Sequence, residues 1–354
     1  MKKWLIALLT LVMTFTLFAC GTSASGAESD GYEIAMITDV NSIDDKSFNQ
    51  GTWEGIEQYA EKKNLEYKYY QPTEDSTDAR MEQIDLAVKE GAKIIITPGS
   101  LFEEVVYIAQ DKYPEIKFVL IDGNPHDEND VYKTGENTVG ITFSEQEAGY
   151  LAGYAAVKDG YTKLGFMGGK EASPVIRYGY GFLQGCQDAA LDLGIQIEVN
   201  YHYTGTYNAS PSITSLAAEW YQGGTQVIFS CGGLIFDSIS TAADENSGKI
   251  IGVDVDQSSQ SAAVITSATK DLSTAVKNAL DAYYSDEFPG GKAWQLGADD
   301  DAVGLPMDTS KFAKFTQEDY DALMDKLKAG EITIPTDVTP VTELNLSAVS
   351  LKLL

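Results

Sequence analysis

The sequence predicts an α/β protein of two Rossmann-like lobes with parallel sheets and a ligand cleft between the lobes. Three observations carry this expectation. Short apolar runs alternate with helical stretches from Gly31 onward. The alternation begins afresh near Lys163, as though a second unit followed the first. Most runs are continuously apolar, which is how strands covered on both faces by helices read.

Taken in order, the chain opens with a targeting segment. Lys2 and Lys3 precede an uncharged stretch, Trp4 to Ala19, giving the charged and apolar regions of a signal peptide over residues 1–19. Leu17-Phe18-Ala19-Cys20 resembles a lipobox, the motif at which bacteria lipidate a cysteine and cleave before it. Ordinary secretion and a retained anchor are the alternatives. A diacylated Cys20 would supply the two chains that stable membrane attachment requires. Residues 20–30 are small and polar and read as a flexible tether.

The first lobe is expected from strands at Ile34–Ile37, Tyr67–Tyr70, Ile94–Thr97, Phe118–Ile121 and Thr138–Phe143, with helices at Gly51–Lys62, Asp78–Glu90 and Leu101–Lys112. Pro98-Gly99 and Asp122-Gly123-Asn124-Pro125 interrupt the pattern at strand ends. The second lobe is expected from strands at Leu164–Met167, Ile197–Tyr203, Val227–Ser230, Ile250–Val253 and Ala263–Ser267, with helices at Tyr178–Leu193, Ile213–Gln222 and Phe236–Glu245. An amphipathic helix, Leu272–Ser285, is assigned to lobe one, followed by an irregular segment to Leu305. The helix Gln317–Ala329 and a polar tail are assigned to lobe two. Lobe one is thus residues 31–143 plus 270–305, and lobe two residues 144–269 plus 306–354.

Composition narrows the function. At 354 residues and 44% hydrophobic, two domains with real cores are affordable in area. The formal charge of −28 argues against nucleic acid as a partner, since phosphate backbones would be repelled. Cleavage before Cys20 would remove two lysines and no acid. Cys186 and Cys231 sit in apolar surroundings and read as buried thiols, with a disulfide open to them outside the cytoplasm. His126 and His202 are isolated, so no zinc-like spacing exists, and no metal or other cofactor is expected.

The stretch Ile37 to Gln50 is the most informative. A polar loop leaves a strand and enters a helix, the place where open α/β sheets hold ligands. It carries Asp39, Asn41, Lys46, Ser47, Phe48 and Asn49: carboxylate, amides, hydroxyl, ammonium and one ring. Donors and acceptors beside a ring suit a sugar joined to a flat heterocycle. The competing reading is a solvated loop in which Asp45 or Ser47 caps the helix.

Asp44-Asp45-Lys46-Ser47-Phe48-Asn49-Gln50 with Trp53-Glu54-Gly55 resembles the signature of the basic membrane protein family, bacterial lipoproteins similar to the purine nucleoside receptor of ABC transporters. Further segments resemble the family: Gly165 to Gly169 with Val175, Arg177, Tyr180, Gly181 and Phe182; Tyr203 to Asn208; Phe229 to Gly233; Ile251 to Gln257; and Thr266 to Lys270. Together they span nearly all of the chain after residue 31. The two lobes with late segments crossing back resemble a type I periplasmic binding fold. The resemblance implies that Tyr207 stacks on a base and that Lys270 reaches the sugar. Where the family usually shows Phe followed two residues on by Asp, this chain has Tyr207 and Ala209. Gly232 and Gly233 at a strand end would allow a ligand close to the backbone.

The chemistry is consistent with that resemblance. Ribose offers vicinal hydroxyls, and an ionised Asp accepts from both through charge-assisted bonds. Asp39, Asp122, Asp254 and Asp256 all fall at or just past strand ends. If the backbone stays extended, Asp254 and Asp256 face the same way, which leaves the choice between them open. A buried carboxylate needs a cation, for which Lys270 is the candidate. Phe48 and Tyr207 would sandwich the base. Excess carboxylate disfavours a phosphorylated ligand. The expectation is therefore an extracytoplasmic, membrane-anchored substrate-binding lipoprotein of an ABC importer that closes on a nucleoside and delivers it to permease subunits. The alternatives are the same fold taking a free sugar or other small polar ligand as transporter component or sensor, and an exported hydrolase, for which no nucleophile–base pair is evident.

Overall fold

A computed structural model describes residues 32–336 and 340–354. The signal peptide, Cys20 and the tether of the sequence reading lie outside the described residues.

The first alternation consists of β1 (Ile34–Ile37), α1 (Phe48–Lys63), β2 (Tyr67–Tyr70), α2 (Thr77–Lys89), β3 (Ile94–Pro98), α3 (Glu103–Lys112), β4 (Lys117–Ile121) and β5 (Thr138–Phe143). The second consists of α4 (Glu145–Asp159), β6 (Lys163–Gly168), α5 (Ser173–Leu193), β7 (Ile197–Tyr203), α6 (Pro211–Gln222), β8 (Val227–Cys231), α7 (Ile235–Asn246), β9 (Lys249–Asp254) and β10 (Val264–Lys270). After these come α8 (Leu272–Tyr284), β11 (Lys292–Leu296), β12 (Val303–Gly304), α9 (Gln317–Lys328) and β13 (Val349–Leu353).

Two sheets result, ordered β11-β5-β4-β3-β1-β2 and β12-β10-β9-β8-β6-β7-β13. Their pairings are parallel except for β10 with β12. The strands β1, β3 and β8 are buried along their whole length, which is why they read as continuous apolar runs. In each sheet the first strand lies between the second and third, so the direction of winding reverses beside β1 in one lobe and beside β6 in the other. The carboxyl ends of strands at such a reversal open a crevice.

The chain passes between lobes three times, from β5 to α4, from β10 to α8 and from β11 to β12. The crossings are laced together: Ser144 N–H donates to Leu296 O at 2.8 Å and Asp271 N–H to Ala302 O at 2.8 Å. The block 270–305, expected as one piece of lobe one, is divided. Lys270 ends β10 and Val303-Gly304 pairs with it, both in the second sheet, while α8 packs on α1 and β11 pairs with β5 in the first.

Four of these elements went unseen in the sequence, one of them the two-residue β12. Helix α4 is buried on nearly every side, so it lacks a polar stripe. It packs on α5 through Gly149, Gly153, Gly181 and Gly185; a Cβ at any of them would lie closer than 3.0 Å to backbone of the opposite helix. Strands β11 and β13 occupy sheet edges and are half-exposed, which makes their five-residue runs read as loop and tail. No helix among the described residues is long and apolar enough to cross a membrane.

Candidate functional site

The cavity sits where the two crevices meet. It is lined from the first lobe by Asp39, Asn41, Asp45, Phe48 and Asn49 after β1, by Pro98 to Leu101 after β3, and by Asp122 after β4. From the second lobe come Pro174, Val175 and Tyr178 of α5, Tyr207, Cys231 to Gly233 after β8, Val253 and Asp254 of β9, and Lys270 of β10. It holds about 660 Å³ of empty space, a figure that includes the open solvent at its mouth.

At its floor lies a buried ionic hub. Lys270 is 4% exposed, and its Nζ pairs with Asp122 Oδ2 and lies 3.5 Å from both Asp254 Oδ1 and Glu145 Oε1. An ammonium has three N–H donors, and here three carboxylates from three elements face it. Arg177 Nε holds the other oxygen of Glu145 at 2.6 Å. Burial opposes the Lys270 charge, but the carboxylates of Asp122, Asp254 and Glu145 outweigh it and hold the pKa above the ordinary lysine value. Burial also pushes the Asp122 carboxyl up to about 7, against the pull of Lys270 and with the push of Glu145 and Asp254. Asp122 Oδ1 and the Tyr178 hydroxyl are buried without a hydrogen-bond partner among the described residues. Asp122 directly follows β4 and Asp254 ends β9, both with positive φ, 61° and 65°. That conformation is tolerated by Asp better than by most side chains, and it turns each carboxylate off the strand line.

This turn settles the geometry at β9. Because the backbone leaves the extended form at Asp254, the two-residue rule no longer puts Asp256 beside it. Asp256 accepts instead from Ser258 N–H at 2.9 Å and Thr309 Oγ1 at 2.7 Å, and does not line the cavity.

The loop after β1 divides its labour. Asp45 accepts backbone N–H bonds of 3.0 Å from Ser47, Asn49 and Gln50, capping the first turn of α1; burial nevertheless pushes its carboxyl up to about 6. Asp39 accepts from Asn49 Nδ2 at 2.8 Å and from Asn41 N and Nδ2 at 2.8 and 3.2 Å, and burial raises its pKa despite those bonds. Ser47 and Lys46 turn away from the cavity and bridge the lobes. Ser47 Oγ donates to Asp254 Oδ2 at 2.6 Å, Lys46 Nζ meets Asp237 at 3.2 Å, and Gln257 Nε2 donates to Lys46 O at 2.8 Å. Across the cleft, Lys170 reaches Asp75 at 2.6 Å, and Asp75 is also gripped by the buried Arg80.

Phe48 and Tyr207 line the same cavity from different lobes. Lys270 Nζ stands 4.6 Å from the Phe48 ring centroid. Gly169 and Gly232 make room for Tyr207: a Cβ at Gly232 would come within 3.0 Å of the ring, and one at Gly169 would overlap it. Gly232, expected to admit ligand to the backbone, thus also backs an aromatic ring, and Gly232 and Gly233 both line the cavity. Cys186 and Cys231 are buried free thiols.

The sequence reading missed Pro98 to Leu101, Pro174, Tyr178, Glu145 and Arg177 as parts of this site. Pro98-Gly99 reads as a strand-end break and Leu101 as the start of a helix, and the order of strands that makes that end a crevice is not legible from one chain. Val175 and Arg177 were noted for resemblance without a role.

Residues 32–337 match the model of the family described as ABC transporter substrate-binding protein PnrA-like. This chain belongs to that family. Among relatives, the ABC transporter nucleoside-binding protein BmpA of Lactococcus lactis subsp. cremoris is 28% identical over 95% of this chain and 100% of its own length. Basic membrane protein A2 of Borrelia garinii subsp. bavariensis is 30% identical over 93% of this chain and 96% of its own. The fold of this PnrA-like chain is that of periplasmic-binding-protein-like solute receptors. An ABC transporter solute-binding protein from Aeropyrum pernix superposes with a TM-score of 0.75 at 23% identity, over 86% of this chain and 94% of its own. A periplasmic binding protein/LacI regulator from Alkaliphilus metalliredigens, solved with D-xylulofuranose, gives 0.54 at 13% identity over 77% of this chain and 97% of its own. The protein is thus an ABC transporter substrate-binding protein of the PnrA-like family, a class defined by ligand capture and delivery to permease partners rather than by catalysis.

Proposed function

We propose that this protein captures nucleosides, with purines preferred, at the outer face of a cell membrane to which a lipid on Cys20 anchors it. The observation that carries the reading is Asp122 Oδ1, a buried acceptor without a partner among the described residues, in a cavity that also presents aromatic rings from both lobes. A ribose hydroxyl is a donor suited to that oxygen. Phe48 and Tyr207 offer faces for a base, each worth roughly 1–3 kcal/mol when stacked. Asp39 fixes the amides of Asn41 and Asn49 beside them. Asp254 and Lys270 complete the sugar end. Within the cavity lining, Asp39, Asp45, Asp122 and Asp254 stand against the single cation Lys270, which disfavours phosphorylated ligands. Gly232 acts through Tyr207, Gly233 lines the cavity, and Lys46 and Ser47 act through closure. Asp256 is set aside.

The name of the Lactococcus relative supports a nucleoside, and that of an uncharacterised lipoprotein of Pyrococcus abyssi, 26% identical over 88% of this chain, supports the anchor. The lobe-bridging bonds support closure: a ligand touching both lobes would favour the state in which Ser47–Asp254 and Lys170–Asp75 are made. The rival reading is a free sugar, for which the hub carboxylates are equally suited but the two rings are not required.

A thermal-shift and calorimetry panel of nucleosides, deoxynucleosides, bases, nucleotides and sugars tests the reading. Nucleosides are expected to bind and their phosphates to fail. Phe48→Ala should weaken nucleoside binding without unfolding the protein. A sugar bound more tightly than any nucleoside, unaffected by Phe48→Ala, would overturn it.

A further inference from the structure

The hub contains a pair that lies behind Lys270, outside the cavity lining. Glu145 is the first residue of α4, directly after one lobe crossing, and is 0% exposed. Arg177 lies on α5. Neither lines the cavity. Glu145 divides its oxygens between Arg177 Nε at 2.6 Å and Lys270 Nζ at 3.5 Å. Lys270 ends β10 beside the second crossing, so this contact ties two crossings to the cavity floor.

We propose that Glu145 and Arg177 are positioning residues of the binding site, holding the Lys270 ammonium between Asp122 and Asp254 so that one oxygen of Asp122 is left free for a ligand hydroxyl. This deepens the nucleoside reading and rests on it for the identity of the hydroxyl, though not for the geometry. Without Glu145 the ammonium would have two carboxylates for three donors and would settle more deeply on Asp122. Without Arg177, Glu145 would be a buried carboxylate short of a cation, and it would draw Lys270 away from Asp122. The two losses therefore act on Asp122 with opposite sign.

The surrounding groups leave that sign intact. Tyr178, Cys231 and Tyr207 face the hub with pKa values raised by burial, so they stay uncharged through neutral pH. Glu103 on α3 is tied to Asn124 N–H at 2.9 Å and to His126 Nε2 at 3.4 Å, and it also feels the Arg177 charge, which with those contacts works against the upward push of burial on its carboxyl. Asp254 is held by Ser47 on its far oxygen. Asp122, pushed up to about 7, is the hub carboxyl that reports the change.

The test follows the Asp122 side-chain carbon by NMR in the unliganded protein across pH 5 to 9, and nucleoside affinity by calorimetry at about pH 5.5 and 7.5. In Glu145→Gln the one carbonyl oxygen accepts from Arg177, the nearer cation, and the NH2 left facing Lys270 is a donor that cannot hold the ammonium. This variant should lower the Asp122 midpoint by about one pH unit and shrink the affinity difference between the two pH values about three- to tenfold. Arg177→Gln should raise the midpoint and widen the difference, and Arg177→Lys should restore wild-type behaviour. Midpoints that stay put, or move the same way in both variants, would overturn the proposal even if affinity falls. Should Arg177→Gln fail to fold, Glu145→Gln against Arg177→Lys carries the same test. If wild type binds no nucleoside yet the midpoints move oppositely, the positioning roles stand and the ligand reading is what fails.

Discussion

Asp122→Asn probes the sugar end of the site most directly. Asp122 gives one oxygen to Lys270 and keeps the other, Oδ1, buried and without a partner among the described residues. In the variant the ammonium demands an acceptor, so the amide oxygen must face Lys270 and the NH2 must take the place of Oδ1. The cavity then meets a donor where it had a charged acceptor. A hydrogen bond to a charged group contributes roughly 1.5–3 kcal/mol, so a ribonucleoside should bind about 10- to 150-fold more weakly. The fold should survive, because Lys270 keeps Asp254 and Glu145. Calorimetry with a ribonucleoside and its dideoxy analogue isolates the contact: the variant should lose affinity for the first and little for the second. In wild type, protonating Asp122 removes the acceptor, so affinity should fall as pH drops below about 7, and the variant should lack that limb. Ribonucleoside affinity within threefold of wild type, or equal losses for both ligands, would refute the reasoning.

Three further outcomes are expected. Gly153→Ala places a methyl against the Phe182 carbonyl of the opposite helix; overpacking of this kind costs about 1–3 kcal/mol, readable as a lower urea midpoint. Lys170→Ala removes a half-exposed ion pair across the cleft; at about 0.5–1 kcal/mol it should speed ligand release two- to fivefold in stopped flow, with the difference vanishing at about 1 M salt. Asp45 has its carboxyl raised by burial to about 6 from 3.8 unfolded. Between about pH 4 and 6 the folded chain therefore holds a proton that the unfolded chain releases, and its contribution to stability is lost as pH rises through that window. Asp45→Asn should make the slope of unfolding free energy against pH more positive there, by up to about 1.4 kcal/mol per pH unit. An unchanged slope would contradict it.

Much of the architecture was legible in the chain. The strands that carry the site, β1, β4, β8 and β9, are buried along nearly all of their residues, and an apolar run between turn signals says so without reference to anything distant. The polar loop from Asp39 to Asn49 was legible as a ligand loop, but the division within it was not. Asp45 serves α1 and Ser47 serves Asp254, and sequence offers both as caps. Helix α4 escaped because a helix wrapped by neighbours carries no polar face, and edge strands β11 and β13 because a half-exposed five-residue run resembles coil.

By itself the sequence determined the α/β class, the repeat of the alternating unit and the kinds of side chain placed at strand ends, since hydrophobic period and turn chemistry are local properties of the chain. Tertiary structure alone decided that Asp254 rather than Asp256 faces the cavity, because a positive φ at one residue redirects everything after it. It alone decided that Lys270 answers to three carboxylates drawn from residues 122, 145 and 254. Charge pairing depends on distance in space, and the order in which strands lie side by side, which sets those distances, is written nowhere in their separation along the chain.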